Sequence, residues 1–170
     1  MSKQIELSRG YYATIDDADF ECVSRFNWIV LQKEAKKWDG RYALCVMRMG
    51  VLNGKPKAAT MLMHRLVMRP KRYEQIDHRD GNGLNNVREN LRFCSQSQNM
   101  GNAKIRKNGT SQYKGVCWDR INEKWVASIR VNKYIWLGRH DTELCAAQAY
   151  NIAAKEHFGE FALINELSVV

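Results

Sequence analysis

The sequence predicts an α+β chain assembled from small units. Short runs alternate apolar and polar residues with a period of two and are rich in aromatic and β-branched types, as half-buried strands are. One later stretch, TELCAAQAYNIAAKEHF at 142–158, is rich in alanine and places its apolar residues near helical spacing. Gly/Asn-rich and basic segments interrupt these patterns. They divide the 170 residues into a β-rich unit at 1–60, a strand, loop, strand and short helix at 61–104, a linker at 105–111, and a three-stranded antiparallel sheet packed on one helix at 112–167. Hydrophobic residues at 45% and charged residues at 26% are close to globular averages, which excludes a wholly disordered chain.

In the first unit, IELSRGYYATI, FNWIVLQ and RYALCVMRM read as strands. DDADFECVSRF, between the first two, reads as a short helix or turn that Asp16 or Asp17 can open. LNGKPK at 52–57 is turn chemistry, after which the chain enters MLMHRLVM. His64, in that apolar run, reads as a hydrogen-bonded structural histidine, while Arg65 suits a phosphate or a carboxylate equally. No chemistry is assigned to residues 1–60.

The core is QIDHRDGNGLNNVRENLRFCSQSQNMGN, where an apolar strand end gives way to a Gly/Asn-rich loop, a short LRF strand and a polar segment. Ser95 can cap a helix there, because its hydroxyl accepts from free amides of the first turn. KIRKNGTSQ at 104–112 is polar and basic, as a linker is. YKGVCWD, KWVASIRV and KYIWLGRH then read as three strands with turns at RINE and around Val131–Lys133. Thr142 is a candidate cap for the alanine-rich helix, and Gly159 supplies its stop.

Lysine and arginine number 27 against 18 acidic residues, for a net charge of +9, which points to a polyanionic partner. Residues 101–140 hold nine Lys/Arg and two Asp/Glu, whereas residues 141–170 hold one and five. A charge kept for solubility spreads more evenly, so this concentration reads as a nucleic-acid surface. Cys22, Cys45, Cys94, Cys117 and Cys145 are odd in number and lack a C-x-x-C pair or nearby histidine spacing, which argues against a disulfide partner or structural zinc. No apolar run approaches the roughly 20 residues that span a bilayer, and MSKQIELSRG lacks a signal-peptide core. The expectation is a soluble cytoplasmic protein, associated with DNA and not with membranes, whose thiols are reduced.

Asp77-His78, followed by Asn90 and Asn99, suits hydrolysis of a phosphodiester. That reaction needs an activated water, a divalent cation against the phosphate and a stabilised leaving oxygen. Histidine, with an ordinary pKa of about 6.5, accepts a proton near neutral pH. An aspartate beside it and an amide oxygen from a nearby helix are hard donors, which favour Mg²⁺ with Mn²⁺ as a substitute. Neighbours on a strand face opposite ways, so Asp77 and His78 converge only where the strand ends, as the loop from Arg79 permits. Asn99, four residues after Ser95, lies about one turn into the helix. Asn82, Asn85, Asn86 and Asn90 all suit a turn-rich loop, and for all but Asn90 that is the better reading. A calcium loop is excluded, because the third and twelfth positions from Asp77 are Arg79 and Arg88.

The strings MHRLVM, IDHRDGNGLNNVRENLRF and SQSQN, together spanning about forty residues, resemble the HNH endonucleases, particularly the phage and intron-encoded homing type. The resemblance implies a ββα-metal (His-Me finger) core. It makes His78 the general base, has Asn90 brace the loop, and puts Asn99 in place of the final histidine as a metal ligand alongside Asp77.

Residues 112–165 interleave Lys114, Arg120, Lys124, Arg130, Lys133 and Arg139 with Trp118, Trp125, Tyr134 and Trp136. A twisted sheet narrow enough for the major groove can set alternate side chains on bases and phosphates. For Trp125 and Trp136 a place under the helix and a place on DNA are equally open. YKGV, KWVASIRV, WLGRHDTELCAAQAYNIAAKEHFGEFALIN and Asn165 resemble the plant ethylene-response-factor (AP2-type) DNA-binding domain in its shorter bacterial and phage form. By that resemblance the sheet reads double-stranded DNA, with Lys114, Trp118, Arg120, Arg130, Lys133, Trp136 and Arg139 as candidate contacts. Cys117 and Ser128 stand where the plant proteins usually carry Arg and Glu, so no plant recognition sequence carries over. Residues 1–60 resemble, more weakly, the leader before the nuclease core of similar phage proteins. The expected function is a metal-dependent endonuclease, nicking or cutting both strands of duplex DNA in a phage-infected or bacterial cell. A DNA-binding regulator with a vestigial nuclease core is the alternative.

Overall fold

A computed structural model describes residues 1–35, 38–52, 55–103, 105 and 109–167. The LNGKPK turn and the linker at 105–111 therefore lie partly outside the described residues. The chain is mixed α and β, with several small antiparallel sheets and a C-terminal three-stranded sheet packed on a helix. It divides into two compact units, one of Met1–Ala35 with Asp39–Phe93 and one that runs from Cys94 onward.

In the first unit, β1 (Ser2–Glu6) pairs antiparallel with β2 (Tyr12–Asp16), joined by a turn in which Arg9 and Gly10 take φ of 63° and 72°. A 3-10 turn at Asp17–Asp19 and α1 (Phe20–Val23) follow. Asp16 stands at the cap position, but its carboxylate accepts from the Arg88 amide at 2.7 Å instead of capping the turn. β3 (Trp28–Ala35), β4 (Trp38–Leu52) and β5 (Lys55–Leu62) form a sheet in that order. MHRLVM becomes a short helix, α2 (Met63–Met68), stopped by Arg69 in the left-handed conformation. β6 (Gln75–His78) and β7 (Leu91–Cys94) make a two-stranded sheet around the Gly/Asn loop.

One apolar cluster links Ile5, Ala13, Ile15, Val23, Trp28, Cys45, Met63, Val67, Ile76 and Leu91. The N-terminal strands and the 61–93 segment thus share a single core. Each fully buried aliphatic side chain in it is worth roughly 1.5–3 kcal/mol.

The second unit opens with α3 (Gln96–Asn102), started by a capping box. The Ser95 hydroxyl accepts from Gln98 N at 3.2 Å and the Gln98 side chain accepts from Ser95 N at 2.8 Å. β8 (Val116–Asp119), β9 (Lys124–Arg130) and β10 (Tyr134–His140) form an antiparallel sheet with β9 in the centre. α4 (Glu143–Phe158) lies on one face, its first turn capped by Thr142, whose hydroxyl accepts from Cys145 N at 3.1 Å. Ala146, Ala147, Ala153 and Ala154 are buried, and their small side chains let the helix approach the sheet closely. Gly115 shows how closely: its φ is +77°, and a Cβ there would come within 2.0 Å of the Tyr150 ring.

α3 is bound into this unit. Gly101 lies against Phe158 so tightly that a Cβ would fall 2.6 Å from the ring, and its carbonyl accepts from Leu163 N at 3.1 Å. Asn165 closes the unit with its amide oxygen on Lys114 N at 2.7 Å and its amide nitrogen on Lys114 O at 3.0 Å. No described helix is long and apolar enough to cross a membrane.

Candidate active site and nucleic-acid interface

β6 sends Ile76 into the core and ends on Asp77 and His78, which are 6% and 5% exposed. The structure thus places both in the interior of the first unit and not in an open cleft. Asp77 Oδ2 accepts from Arg92 Nε at 3.0 Å and from Arg92 Nη2 at 2.8 Å, and both side chains of the pair are buried. The guanidinium arrives from β7, so the two strands of the small sheet are tied by charge as well as by their backbones.

Three rings cluster at the strand end. His64 meets His78 edge-on, with centroids 5.1 Å apart, and Tyr42 lies 5.9 Å from each. Burial, the charge of His78 and the charge of Arg65 lower His64 to about 3. Burial also holds His78 below its ordinary value, opposed by the Asn86 hydrogen bond and the charges of Asp80 and Asp77. Burial and the charge of Asp77 raise Tyr42. At neutral pH His78 is therefore an uncharged imidazole, the form that accepts a proton.

The loop between the strands is held from two sides. Within it, Asn90 Oδ1 accepts from Asp80 N at 3.1 Å, and Asn90 Nδ2 donates to Asp80 Oδ1 at 3.0 Å and to Asn85 O at 2.8 Å. Burial pushes Asp80 up, but hydrogen bonds from Asn85, Asn82 N and Asn90 outweigh it, and the carboxyl lies below its usual range. From outside, Thr14 N donates to Leu84 O at 2.9 Å and Asn86 N to Thr14 O at 2.7 Å. The Arg88 guanidinium spans both Asp19 oxygens at 2.7 and 2.8 Å. Residues 1–60, to which the sequence assigned no chemistry, clamp the loop that follows His78.

Asn86 is the residue that sequence reasoning passed over. It is 0% exposed, and its Oδ1 lies 3.4 Å from His78 Nε2. Its Nδ2 has no hydrogen-bond partner among the described residues. A buried donor left unpaired costs about 1–3 kcal/mol. Four asparagines in one loop look alike in sequence, and only burial separates this one from its neighbours.

Asp77, His78 and Asn90 all lie buried in the first unit, whereas Asn99 is exposed on α3 of the second. Among the described residues no three His, Cys, Asp or Glu side chains gather to hold a metal.

In the second unit, residues opposite one another across strands share a face. Val116, Trp125, Ala127, Ile129, Ile135 and Leu137 pack toward α4. Trp118 stands opposite Trp125, their rings 5.0 Å apart, and so takes the helix side. The other face presents Ser128 opposite Trp136 and Arg130 opposite Tyr134. Tyr134 and Trp136 are each 55% exposed, and Arg139 lies 5.8 Å from the Trp136 ring. Arg139 also pairs with Asp119, whose carboxyl is held at about 2 by hydrogen bonds from Asn122 and Arg139. Arg120 and Lys133 are exposed in the two turns. Lys114 is directed elsewhere, with its ammonium on the carbonyls of Met100 and Gly101 at the end of α3, and burial lowers it to about 8.

Comparison with known proteins divides the chain in two. The HNH endonuclease family model matches residues 62–101, and the AP2 domain model matches 111–160. The chain is 40% identical over 94 residues, 54% of its length, to an uncharacterized HNH endonuclease of Acanthamoeba polyphaga mimivirus, covering 47% of that protein. It is 42% identical over 60 residues, 35% of its length, to Protein 3.8 of Escherichia phage T7, covering 49% of that protein. An ethylene-responsive transcription factor of Arabidopsis thaliana is 45% identical over 60 residues, 34% of this chain and 14% of the plant protein. The chain spans about half the length of the two viral relatives. No solved structure matches it.

Proposed function

We propose that this chain, an HNH module followed by an AP2 module, is a metal-dependent endonuclease that hydrolyses phosphodiester bonds of double-stranded DNA. The observation that carries the proposal is the neutral, buried imidazole of His78 beside the ionic pair of Asp77, inside the segment that matches the HNH family. By sequence resemblance this reading implies a ββα-metal fold of the homing or phage type for residues 61–104.

His78 accepts the proton of the attacking water. His64 and Tyr42 wall the imidazole, and the Arg88 pair with Asp19 anchors the loop beside it. Asn90 holds the loop's turn closed through Asp80 and Asn85. Asp77 and Asn99 offer hard oxygen donors, a chemistry that fits Mg²⁺ or Mn²⁺ with few protein ligands. Asn99 enters this set by sequence resemblance alone. The cation would supply positive charge at the scissile phosphate and the leaving oxygen. On the second unit, Arg130 and Trp136 lead the open face of the sheet, with Arg139, Arg120 and Lys133 at its edges, and that face binds the duplex.

The near-complete burial of Asp77 and His78 favours one other reading, a DNA-binding regulator with a vestigial nuclease core. Supercoiled plasmid incubated with the full chain separates the two. Nicked or linear product with Mg²⁺ or Mn²⁺, and none with chelator, is the result expected of the nuclease. Tight duplex binding without any product in either metal overturns it.

A further inference from the structure

We infer that Asn86 is a positioning residue for His78, its carboxamide oxygen holding the imidazole in the tautomer protonated at Nε2 and leaving the basic lone pair on Nδ1. The meaning of this for cleavage rests on the nuclease reading, but the geometry does not. Asn86 differs from Asn90 in what its side chain touches. Asn90 commits its amide to the loop, with Oδ1 and Nδ2 both bonded to loop groups. Asn86 is more deeply buried, yet its side chain braces no part of the loop: its Oδ1 faces His78 Nε2 at 3.4 Å, and its Nδ2 is unpartnered among the described residues.

The loop's path is already fixed by the backbone of Asn86 on Thr14 and by Thr14 on Leu84. An apolar side chain of the same size would therefore serve folding at least as well, because it would bury no unpaired donor. What it would lack is the acceptor. A carboxamide oxygen can only accept, so a bond to Nε2 requires that nitrogen to carry the proton. The partner of one ring nitrogen sets which nitrogen is left as the base.

The test uses the full chain labelled with ¹⁵N-histidine, without DNA or metal, in long-range ¹H–¹⁵N spectra at neutral pH. His78 is identified by the signals lost in His78→Gln. The wild type is expected to show His78 protonated at Nε2. Asn86→Leu is expected to fold, to mix the tautomers of His78, and to slow single-turnover cleavage by roughly tenfold or more with duplex affinity unchanged. Asn86→Asp, which keeps an acceptor oxygen, is expected to keep the Nε2–H pattern. Wild-type His78 protonated at Nδ1 would overturn the inference, and so would Asn86→Leu with the wild-type tautomer and rate. Should the leucine variant fail to fold, the wild-type and aspartate spectra still decide. An Nε2–H pattern in a chain that never nicks DNA would support the positioning role and sink the nuclease reading alone.

Discussion

Replacing Arg92 with methionine tests the site at its most costly contact. Arg92 and Asp77 side chains are 8% and 7% exposed, and one carboxylate oxygen accepts from Arg92 Nε at 3.0 Å and from Nη2 at 2.8 Å. Methionine keeps much of the volume but leaves the Asp77 carboxylate in the interior without the guanidinium charge that faces it. Breaking a buried pair from one side costs about 3–5 kcal/mol. Whole domains are stable by about 5–15 kcal/mol, so the first unit should lose roughly a fifth or more of its stability. For a domain of 60–100 residues each kcal/mol moves the midpoint by about 4–8 °C, so the transition should fall by more than ten degrees. Thermal unfolding followed by near-UV circular dichroism reads this, with the second unit as internal reference. Arg92→Met combined with Asp77→Leu should recover at least half of the loss, since an apolar pair replaces an ionic one at little cost. A loss below about 1 kcal/mol in the single variant would place the pair in solvent and refute the reasoning.

Acid should unfold the first unit early. His64 and His78 are held below their unfolded value, so the unfolded chain binds protons first and stability falls as pH drops below about 6.5, continuing to about 3 for His64. His64 costs up to about 1.4 kcal/mol per pH unit in that window, and His64→Gln should flatten the slope in urea titrations at pH 7, 6 and 5. Gly115→Ala should destabilise the second unit by roughly 2 kcal/mol or more, because it combines a φ of +77° with a Cβ 2.0 Å from Tyr150; thermal unfolding of wild type and variant measures it. Arg130→Ala should weaken duplex binding by about 1–3 kcal/mol and lower the salt slope by about one, as read by fluorescence anisotropy. Lys114→Met should leave that slope unchanged and lower stability instead, since its ammonium is held by the end of α3.

Much of the architecture was legible in local pattern. Alternation marked β8, β9 and β10, the hydroxyls of Ser95 and Thr142 marked the starts of α3 and α4, and Gly159 marked a stop. Those signals are local because caps and strand faces are satisfied within a few residues. MHRLVM gave no such signal, being too short for its periodicity to separate a helix from a buried strand. Trp118 and Trp125 could be assigned a face only once the register set them opposite each other. The candidate site divides the same way. Asp77, His78 and Asn90 stood out by residue type and spacing. The buried Arg92, the His64 edge on His78 and the oxygen of Asn86 depend on contacts from distant segments, above all the β2 backbone that pins the loop.

His78 carries the proposed chemistry. Single-turnover cleavage of supercoiled plasmid in Mg²⁺ and duplex affinity by anisotropy should be measured together on wild type and His78→Ala. Loss of the base should slow cleavage by about 10²-fold or more while affinity stays within about threefold. Cleavage by His78→Ala at the wild-type rate would contradict the account.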